Sequence, residues 1–468
     1  MALGQAPWGL WFVALPALVL LFRLLQGRGA GQAAFLGWFA GAGYFGAGMF
    51  WIVEPFLVDA PRHGWMAPFA LLFLSFGLAL FWAAAAWGGT RIGGRFGALG
   101  LALAFAASDL ARGYVLTGFP WALIGHIWID TPVAQAAALV GPVGLTLAAA
   151  LLAALAMARA GGMVAAVLLL GVIWGGGAWR LAQPDPAPQP MTVRIIQPNA
   201  AQHLKWDPEM SALFFRRQLD MSSAEPAPDL IVWPETAVNF LLEEQVGLDL
   251  IAGAARGVPV ALGIQRLEGR RFYNSLAVID PEARVQALYD KHHLVPFGEY
   301  FPLGDLAARF GLHGFASQQG QGYSSGPGPA VLDLGPLGRV LPLICYEAVF
   351  PQDLNGAPER ADWILQATND AWFGQMVGPY QHLAQARLRA IEQGLPLIRA
   401  ANTGVSAVID ARGRVRDSLL LDTHGYMDAR MPGALAQPFY ARTGDLPLAV
   451  LIGAGLVILL LTGRRKAS

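Results

Sequence analysis

The chain has 468 residues, of which 55% are hydrophobic and only 14% are charged. This composition is too apolar for an ordinary soluble protein and indicates a membrane protein. Lys+Arg and Asp+Glu both number 32, so there is no basic surplus of the kind that attracts nucleic acid. The single cysteine, Cys345, excludes an intrachain disulfide and a cysteine-cluster metal site. It is therefore either a buried apolar side chain or a nucleophile.

Apolar segments long enough for transmembrane helices, about 20 residues each, lie at both ends of the chain. They cover residues 8–25, 33–53, 66–88, 97–116, 133–157, 163–181 and 446–462. The first segment does not have the form of a cleavable signal peptide, because residues 1–7 carry no basic side chain. We therefore expect an N-terminal transmembrane bundle of six spans over residues 1–183, and a C-terminal helix with a basic cytoplasmic tail over residues 439–468.

Basic residues between the apolar segments predict the orientation, because short cytoplasmic loops collect Arg and Lys. The flanking basic residues are Arg23, Arg28, Arg91, Arg95, Arg159, Arg464, Arg465 and Lys466. All of them lie on the cytoplasmic side if the chain begins outside and ends inside; Arg62 is a local exception. The long segment before the last helix is then extracytoplasmic.

That long segment has the composition of a soluble α/β domain. It begins with a Pro-rich linker at residues 184–190 and continues over residues 191–438. Apolar runs typical of strands cover residues 192–197, 229–233, 258–264, 274–279, 339–345, 363–368, 395–400 and 405–409. Helical patterns follow at 208–222 and 381–393. The pattern predicts an α/β catalytic domain outside the cytoplasm.

Three chemically active side chains lie at or just beyond predicted strand ends: Glu235, Lys291 and Cys345. Taken singly, each has an ordinary structural interpretation, as a turn residue, a surface charge and a buried filler. Together they form a set for acyl transfer, because a carboxylate can accept the thiol proton and an ammonium can stabilise thiolate and oxyanion. Lys291 is of special interest because burial can bring the pKa of a lysine into a catalytic range.

The order Glu, Lys, Cys and the local motifs match the triad of the nitrilase superfamily. Further motifs are Lys-Trp-Asp at 205–207, Trp-Pro-Glu at 233–235, His-Leu-Val-Pro-Phe-Gly-Glu at 293–299, Cys-Tyr-Glu at 345–347, Asn-Asp-Ala-Trp-Phe-Gly at 369–374, Leu-Thr-Gly-Phe-Pro-Trp at 116–121 and Tyr-Ala-Arg-Thr-Gly at 440–444. Over essentially the whole chain, they resemble the apolipoprotein N-acyltransferase family.

The resemblance implies an α-helical transmembrane bundle plus an α/β nitrilase-like domain, an α-β-β-α sandwich. It implies an enzyme of the bacterial inner membrane with its catalytic domain on the periplasmic side. The acyl donor would be a phospholipid, phosphatidylethanolamine, and the acceptor the α-amine of a diacylglyceryl-cysteine on a lipoprotein. We expect a monomer with no cofactor, metal or nucleic-acid partner.

The resemblance also assigns site residues. Glu235 would be the general base, Lys291 the oxyanion stabiliser, and Cys345 the nucleophile of a ping-pong mechanism with a thioester intermediate. Glu299 and Glu347 would support this triad electrostatically. Residues that line or order the pocket would be Trp206, Asn274, Tyr346, Trp372 and Phe373. Ordinary core packing is the alternative for the aromatic side chains.

Several alternatives stay open at this level. The family has eight spans and this sequence shows seven, so either the true start lies upstream or this member lacks the first helix. A membrane-tethered amidohydrolase would use the same triad with water as acceptor, and a transporter with an external binding domain would not need Cys345. His292 and His293 are adjacent, so on an extended segment they would face opposite sides and make a poor metal pair. Asp109 and Arg112 form either a local ion pair or a lipid headgroup site.

Overall fold

The computed structural model describes residues 1–158, 160–300 and 322–464 and divides into two compact units. The first, here the helical unit, comprises Met1–Pro184, Met376–Gln393 and Gln437–Ser468. The second, here the sheet unit, comprises Asp185–Gln375 and Gly394–Ala436. Of the basic residues used for orientation, Arg159, Arg465 and Lys466 lie outside the described residues.

The long helices agree in position with the helical and apolar patterns of the sequence, whereas the five shortest helices were not predicted. In chain order they are α1 (Trp11–Leu25), α2 (Ala30–Gly48), α3 (Glu54–Leu57), α4 (Ala60–His63), α5 (Ala67–Gly93), α6 (Gly97–Tyr114), α7 (Ala137–Ala156), α8 (Ala160–Ala182), α9 (Pro208–Ser222), α10 (Gln245–Ala255), α11 (Pro351–Asn355), α12 (Gly378–Gln393), α13 (Phe439–Thr443) and α14 (Leu446–Arg464).

Several of these helices have the length and apolarity to cross a membrane. Within the described residues, three segments do so individually: Ala60–Gly93, Pro132–Ala156 and Gly161–Ala182. A fourth span is obtained if Ala30–Gly48 and Phe50–Leu57 form one broken helix, since the two helices are bent by 68° relative to each other. Trp11–Leu25 and Leu446–Thr462 are apolar but shorter. The sequence therefore predicts more spans than the described helices that are long and apolar enough to cross a membrane. The predicted number of spans stays a prediction.

Small residues let the helices of the helical unit approach closely. A Cβ added at Gly41 of α2 would lie 3.0 Å from the Cβ of Ala79 on α5, and one at Gly37 would lie 2.7 Å from that of Ala86. Close backbone approach through small residues is the usual basis of helix association in membranes. Gly37 and Gly41 thus serve helix packing, whereas an added Cβ at Gly43 would meet nothing within 4 Å.

The buried charges on α6 form a local brace. Arg112, 1% exposed, pairs with Asp109 at 3.1 Å and donates to the backbone carbonyls of Phe119 and Trp121. Asp109 in turn accepts from the backbone N–H of Ile124 at 2.9 Å. The interaction that the structure shows at this site is therefore the local ion pair with its backbone partners. The brace holds the Leu-Thr-Gly-Phe-Pro-Trp loop against α6.

The sheet unit contains two six-stranded mixed sheets. The strands are β1 (Thr192–Gln197), β2 (Leu230–Val232), β3 (Val260–Glu268), β4 (Arg271–Ile279), β5 (Val285–Asp290), β6 (Leu332–Asp333), β7 (Arg339–Ile344), β8 (Trp363–Thr368), β9 (Leu397–Ala401), β10 (Ser406–Ile409), β11 (Val415–Leu419) and β12 (Gly425–Arg430). Their orders are β12-β1-β2-β3-β4-β5 and β11-β10-β9-β8-β7-β6.

Each sheet has a parallel centre that carries the most apolar strands. In the first sheet β1, β2 and β3 are parallel, and in the second β7, β8 and β9 are parallel. Residues of β8 are buried along its whole length, as expected for a strand covered on both faces. The sheets meet at β1 and β9, and Gln197 at the end of β1 also accepts a hydrogen bond of 2.6 Å through its Oε1 from Ser406 Oγ at the start of β10. Helices α9 and α10 cover the other face of the first sheet.

Candidate active site

The ends of the strands gather the predicted catalytic residues within the sheet unit. Glu235 follows β2, Lys291 directly follows β5, and Cys345 directly follows β7. Asn369 follows β8, the parallel neighbour of β7. Because parallel strands end at the same edge of a sheet, their following turns bring distant parts of the sequence together. All four side chains are buried.

The backbone is strained where this site is formed. Cys345 has a φ of 49° and Thr236, next to Glu235, has a φ of 48°. Side chains with a Cβ seldom adopt this left-handed region, which costs about 1–3 kcal/mol per residue. The positive φ of Cys345 turns the chain sharply from β7 into the 3-10 turn Cys345–Val349. The turn places the thiol at the strand end instead of along the sheet.

Glu235 is held by hydrogen bonds to both carboxylate oxygens. Its Oε1 accepts from Asn274 Nδ2 at 2.7 Å, and its Oε2 accepts from the backbone N–H of Asn369 at 2.9 Å. Lys291 Nζ lies 3.6 Å from Oε1. These contacts join the two sheets, since Asn274 is on β4 and Asn369 follows β8. The carboxylate is therefore fixed in orientation, as a general base must be.

Lys291 is a buried side chain whose amine lies between two carboxylates. It is 1% exposed and donates a 2.9 Å hydrogen bond to Glu299 Oε1. Burial lowers the pKa of Lys291, but the charges of Glu299, Glu235 and an ionised Cys345 outweigh burial and raise the pKa above its usual value. The raised pKa agrees with the charged ammonium that the expected role of oxyanion stabiliser requires, and that role stays a prediction.

Cys345 is a protonated thiol in the resting site. Burial raises its pKa and the charge of Glu235 raises it further, while Lys291 and a hydrogen bond with Thr368 act in the opposite direction and do not outweigh them. The sulfur thus stays neutral until a base removes its proton. Since the thiolate is the nucleophilic form, proton removal must accompany attack.

Glu347 organises the backbone on both sides of the nucleophile. Its Oε1 accepts from the backbone N–H groups of His292 and His293 at 2.8 and 3.2 Å, and from Tyr289 Oη at 2.8 Å. Its Oε2 accepts from the backbone N–H of Ile344 at 2.7 Å. This carboxylate therefore connects the turn after β5, which carries Lys291, to the turn after β7, which carries Cys345.

The two adjacent histidines do not diverge as the sequence pattern suggested. Both rings face Asp353, with His293 Nδ1 at 2.9 Å and His292 Nε2 at 3.5 Å from Asp353 Oδ2. The reason is that these residues lie in a turn after β5 and not in a strand. His292, His293 and Asp353 are the group among the described residues that has the composition and spacing to hold a metal ion. Their mutual hydrogen bonds account for the arrangement without an ion.

The predicted pocket residues have different environments. Asn274 is buried and bonds both Glu235 and Glu299. Tyr346 is buried and packs edge to face against the rings of His293 and Phe350, with centroids 5.7 and 4.8 Å away. The remaining aromatic residues differ in exposure, with Trp206 exposed, Trp372 half-buried and Phe373 buried.

Two further residues of the site were not identified from the sequence. Gly263 on β3 passes so close to the turn after β2 that an added Cβ would lie 2.5 Å from Glu235 Cα and from Pro234 O. Lys205, recognised only as part of a motif, is buried, and its Nζ donates to the Glu235 carbonyl oxygen at 3.3 Å. A glycine in a strand is a weak sign of close backbone approach. For Lys205 the sequence carried a stronger sign of a special role, because the chain contains only three lysines.

Comparisons with known families agree with this division of the chain. Residues 1–155 match the family model described as apolipoprotein N-acyltransferase N-terminal domain. Residues 218–438 match the carbon-nitrogen hydrolase model. The second match covers the strands that carry Glu235, Lys291 and Cys345. It confirms the predicted fold class, a helical membrane bundle plus a nitrilase-like α/β domain.

Curated relatives extend over nearly the whole chain. The apolipoprotein N-acyltransferase of Brucella melitensis is 38% identical over 99% of this chain and 94% of its own length. That of Rhodopseudomonas palustris is 37% identical over 100% of this chain and 94% of its own length. That of Caulobacter vibrioides is 41% identical over 90% of this chain and 84% of its own length. Among solved structures, an amidase from Nesterenkonia is 19% identical, covers 58% of this chain and 99% of its own, and has a TM-score of 0.40. On the curated relatives and their coverage, the chain belongs to the apolipoprotein N-acyltransferase family.

Proposed function

We propose that this protein is an acyltransferase of the bacterial inner membrane. It transfers a fatty acyl chain from a phospholipid to the α-amine of the diacylglyceryl-cysteine of a lipoprotein, through a thioester on Cys345. The observation that carries the proposal is the buried set of Glu235, Lys291 and Cys345 in a chain with helices long enough to cross a membrane. The names of the curated relatives support the acceptor. The sheet unit lies on the periplasmic side, as the arginine pattern indicates.

In the first step, the acyl group moves to the enzyme. Glu235 takes the thiol proton as Cys345 Sγ attacks the ester carbonyl carbon, because the raised pKa of the thiol requires a base at that moment. The developing oxyanion is stabilised by the ammonium of Lys291, which stays charged throughout. Glu235 then returns the proton to the leaving alkoxide, and a lysophospholipid departs.

In the second step, the amine of the acceptor attacks the thioester carbonyl and Cys345 leaves as a thiolate. A thioester is more reactive toward amines than the original ester, which is the benefit of dividing the reaction into two steps. Glu235 again moves a proton, this time from nitrogen to sulfur. Lys291 again stabilises the oxyanion of the tetrahedral intermediate.

The supporting residues keep these groups in position. Glu299 holds Lys291 through its Oε1 and accepts from the backbone N–H of Val295 through its Oε2 at 2.8 Å. Glu347 fixes the turns that carry Lys291 and Cys345. Among the predicted pocket residues, Asn274 orients Glu235 and Tyr346 packs beside the nucleophile's turn. We propose that Trp206, Trp372 and Phe373 contact the acyl donor, which needs an apolar lining.

The decisive experiment incubates the purified, reconstituted protein with phosphatidylethanolamine alone and measures its intact mass. We expect one acyl adduct, absent in Cys345→Ala and removed by a diacylated lipopeptide with formation of the triacylated product. Cys345→Ser should acylate slowly and transfer poorly, because an oxygen ester is less reactive toward amines.

Two other outcomes would contradict the proposal. Release of free fatty acid without transfer to the lipopeptide would indicate an amidohydrolase-like enzyme with water as acceptor. Transfer that persists in Cys345→Ala would indicate direct attack of the amine on the phospholipid, without a thioester.

A further inference from the structure

Lys205 is a second buried amine in the same site. It lies in the turn between β1 and α9, its side chain is 7% exposed, and its Nζ donates to the carbonyl oxygen of Glu235. Its ammonium lies 5.7 Å from the ring centroid of Trp206. Within the described part of the chain, no carboxylate forms an ion pair with Lys205, whereas Lys291 has two such partners.

This difference in partners gives the two lysines different tendencies to lose a proton. Burial lowers the pKa of Lys205 to about 8, although the charges of Glu235 and an ionised Cys345 oppose the shift. The pKa of Lys291 is raised. Near neutral pH Lys205 can therefore release and take up a proton, while Lys291 cannot. Their tasks in the reaction should differ accordingly.

In the second step of the proposed reaction, the acceptor nitrogen must lose one proton more than the triad can take up. The acceptor α-amine has a pKa of about 7.7–8.0 and is largely an ammonium at pH 7. Its nitrogen must lose two protons to become an amide nitrogen. One of them passes through Glu235 to Cys345 Sγ. Because water must be kept from the thioester for it to survive, the other proton needs an acceptor in the protein.

We infer that Lys205 is this second base: in its neutral form it takes the surplus proton from the bound acceptor ammonium. The nitrogen then forms the new N–C bond as the C–S bond breaks, and Lys205 afterwards releases its proton to solvent. The inference rests on the proposed acyl transfer and adds a residue to it. Geometry supports it, since Lys205 is buried in the site and its Nζ donates at 3.3 Å to the backbone carbonyl of Glu235, the residue whose carboxylate moves the other proton.

The test separates the two steps with pre-acylated enzyme. Lys205→Met removes the base but keeps the length of the side chain, and Lys205→Arg keeps the charge but cannot release a proton at accessible pH. Both variants should still form the acyl adduct on Cys345. At pH 7 both should transfer it to the diacylated lipopeptide about 10²-fold more slowly than wild type, the lower range for loss of an acid-base group. The exposed Arg284→Met is the matched control and should transfer normally.

Two further readouts distinguish proton transfer from a structural role. Hydroxylamine is already unprotonated at pH 7, so it should cleave the acyl adduct of Lys205→Met at the wild-type rate. The defect with the lipopeptide should shrink as the pH is raised from 7 to 9, because the acceptor then binds as a free amine. Near-normal transfer by Lys205→Arg would overturn the inference. So would equal losses in Lys205→Met of three rates, namely acylation of Cys345, cleavage of the adduct by hydroxylamine and transfer to the lipopeptide. Failure of the wild-type protein to form any adduct would instead overturn the proposed function.

Discussion

Lys205 and Lys291 show how partners, more than burial, set the behaviour of a charged side chain. Both are more than nine-tenths buried beside Glu235. Lys291 has two carboxylate partners at 2.9 and 3.6 Å, whereas Lys205, among the described residues, donates to the Glu235 carbonyl at 3.3 Å and lies 5.7 Å from the Trp206 ring centroid. A carboxylate stabilises the ammonium enough to offset desolvation, and a neutral carbonyl does not. At the residue scale, the site therefore contains one fixed charge and one titrating amine.

Removal of the fixed charge should abolish turnover without unfolding the protein. Lys291→Ala should reduce acylation of Cys345 by ~10²–10³-fold, the usual loss for one oxyanion-stabilising donor. Lys291→Arg should fail as well, because a planar guanidinium places its donors elsewhere. Rates of adduct formation by intact mass measure the effect. The exposed Arg256→Ala is the control, and a Lys291→Ala variant as active as this control would show that Lys291 is not part of the catalytic machinery.

The histidines beside the site predict a dependence of stability on pH. Burial lowers the pKa of His292, but hydrogen bonds to Asp353 and Glu347 outweigh burial and raise the pKa to about 9. Because this folded-state pKa is above the unfolded value of about 6.5, protonated His292 stabilises the folded state. The full stabilisation is present below about pH 6.5. The added stability is lost as the pH rises through about 9. In wild type, the melting temperature in detergent should thus fall from pH 6.5 to 9.5.

The variant His292→Asn removes the titrating group and keeps a side-chain amide. Its melting temperature should be lower than that of wild type at pH 6.5, and the difference should narrow toward pH 9.5. Other groups around the ring, namely Tyr289, His293, Asp353 and Glu347, are unchanged in this variant. A difference that is constant over the whole pH range would contradict a protonated His292.

At the scale of elements, the site depends on turns that follow strands and on the close approach of one strand to them. The turn after β2 lies against β3, where Gly263 N–H donates to Pro234 O at 3.2 Å and Ala237 N–H donates to Gly263 O at 2.7 Å. This pairing leaves no room for a side chain at residue 263. The position of Glu235 is therefore set by backbone contacts as well as by its own hydrogen bonds.

Gly263→Ala should displace Glu235 and reduce the rate of Cys345 acylation. The added methyl group would lie 2.5 Å from backbone atoms of Pro234 and Glu235, a distance that forces the turn to move. A misplacement of about 1 Å can cost on the order of 10²-fold in rate. The matched control is Gly253→Ala in α10, where an added Cβ meets nothing within 4 Å and should leave the rate unchanged. Equal rates for the two variants would contradict this role of Gly263.

At the scale of the whole molecule, the arginine pattern predicts that residues 191–438 and the basic loops lie on opposite sides of the membrane. The basic loop residues such as Arg28 and Arg91 are predicted to be cytoplasmic, and residues 191–438 periplasmic. The charge bias of short loops is the physical basis, because translocation of basic residues is disfavoured. The buried brace of Arg112 with Asp109 does not bear on orientation, since the two charges pair with each other inside the helical unit.

Reporter fusions test this topology directly. Alkaline phosphatase fused at Gly338, in the turn before β7, should be active, because this reporter becomes active only in the periplasm. A fusion at Arg91, at the end of α5, should be inactive and serves as the internal control. An inactive fusion at Gly338 in a properly inserted protein would remove the basis for a periplasmic catalytic unit.

The sequence determined the membrane character, the fold class and the central strands. The runs at 192–197 and 363–368 have the bounds of β1 and β8, because strands covered on both faces are rich in β-branched and other apolar residues, here interrupted only by a few polar side chains. The helix at 208–222 has the bounds of α9, whose start is marked by an Asp207 cap and a proline. The exposed edge strand β11, Val415–Leu419, was missed because polar edge strands carry little periodic signal.

Tertiary structure alone decided the electrostatics of the site. The sequence supplied Glu235, Lys291 and Cys345 as residue types, but the opposite pKa shifts of Lys291 and Lys205 depend on which carboxylates surround each amine. The convergence of His292 and His293 on Asp353 likewise depends on a turn that local pattern does not encode. Local sequence determines which strands and helices form, because periodicity and capping act over a few residues. Partners from distant strand ends determine charge, because electrostatic interaction depends on distance in space.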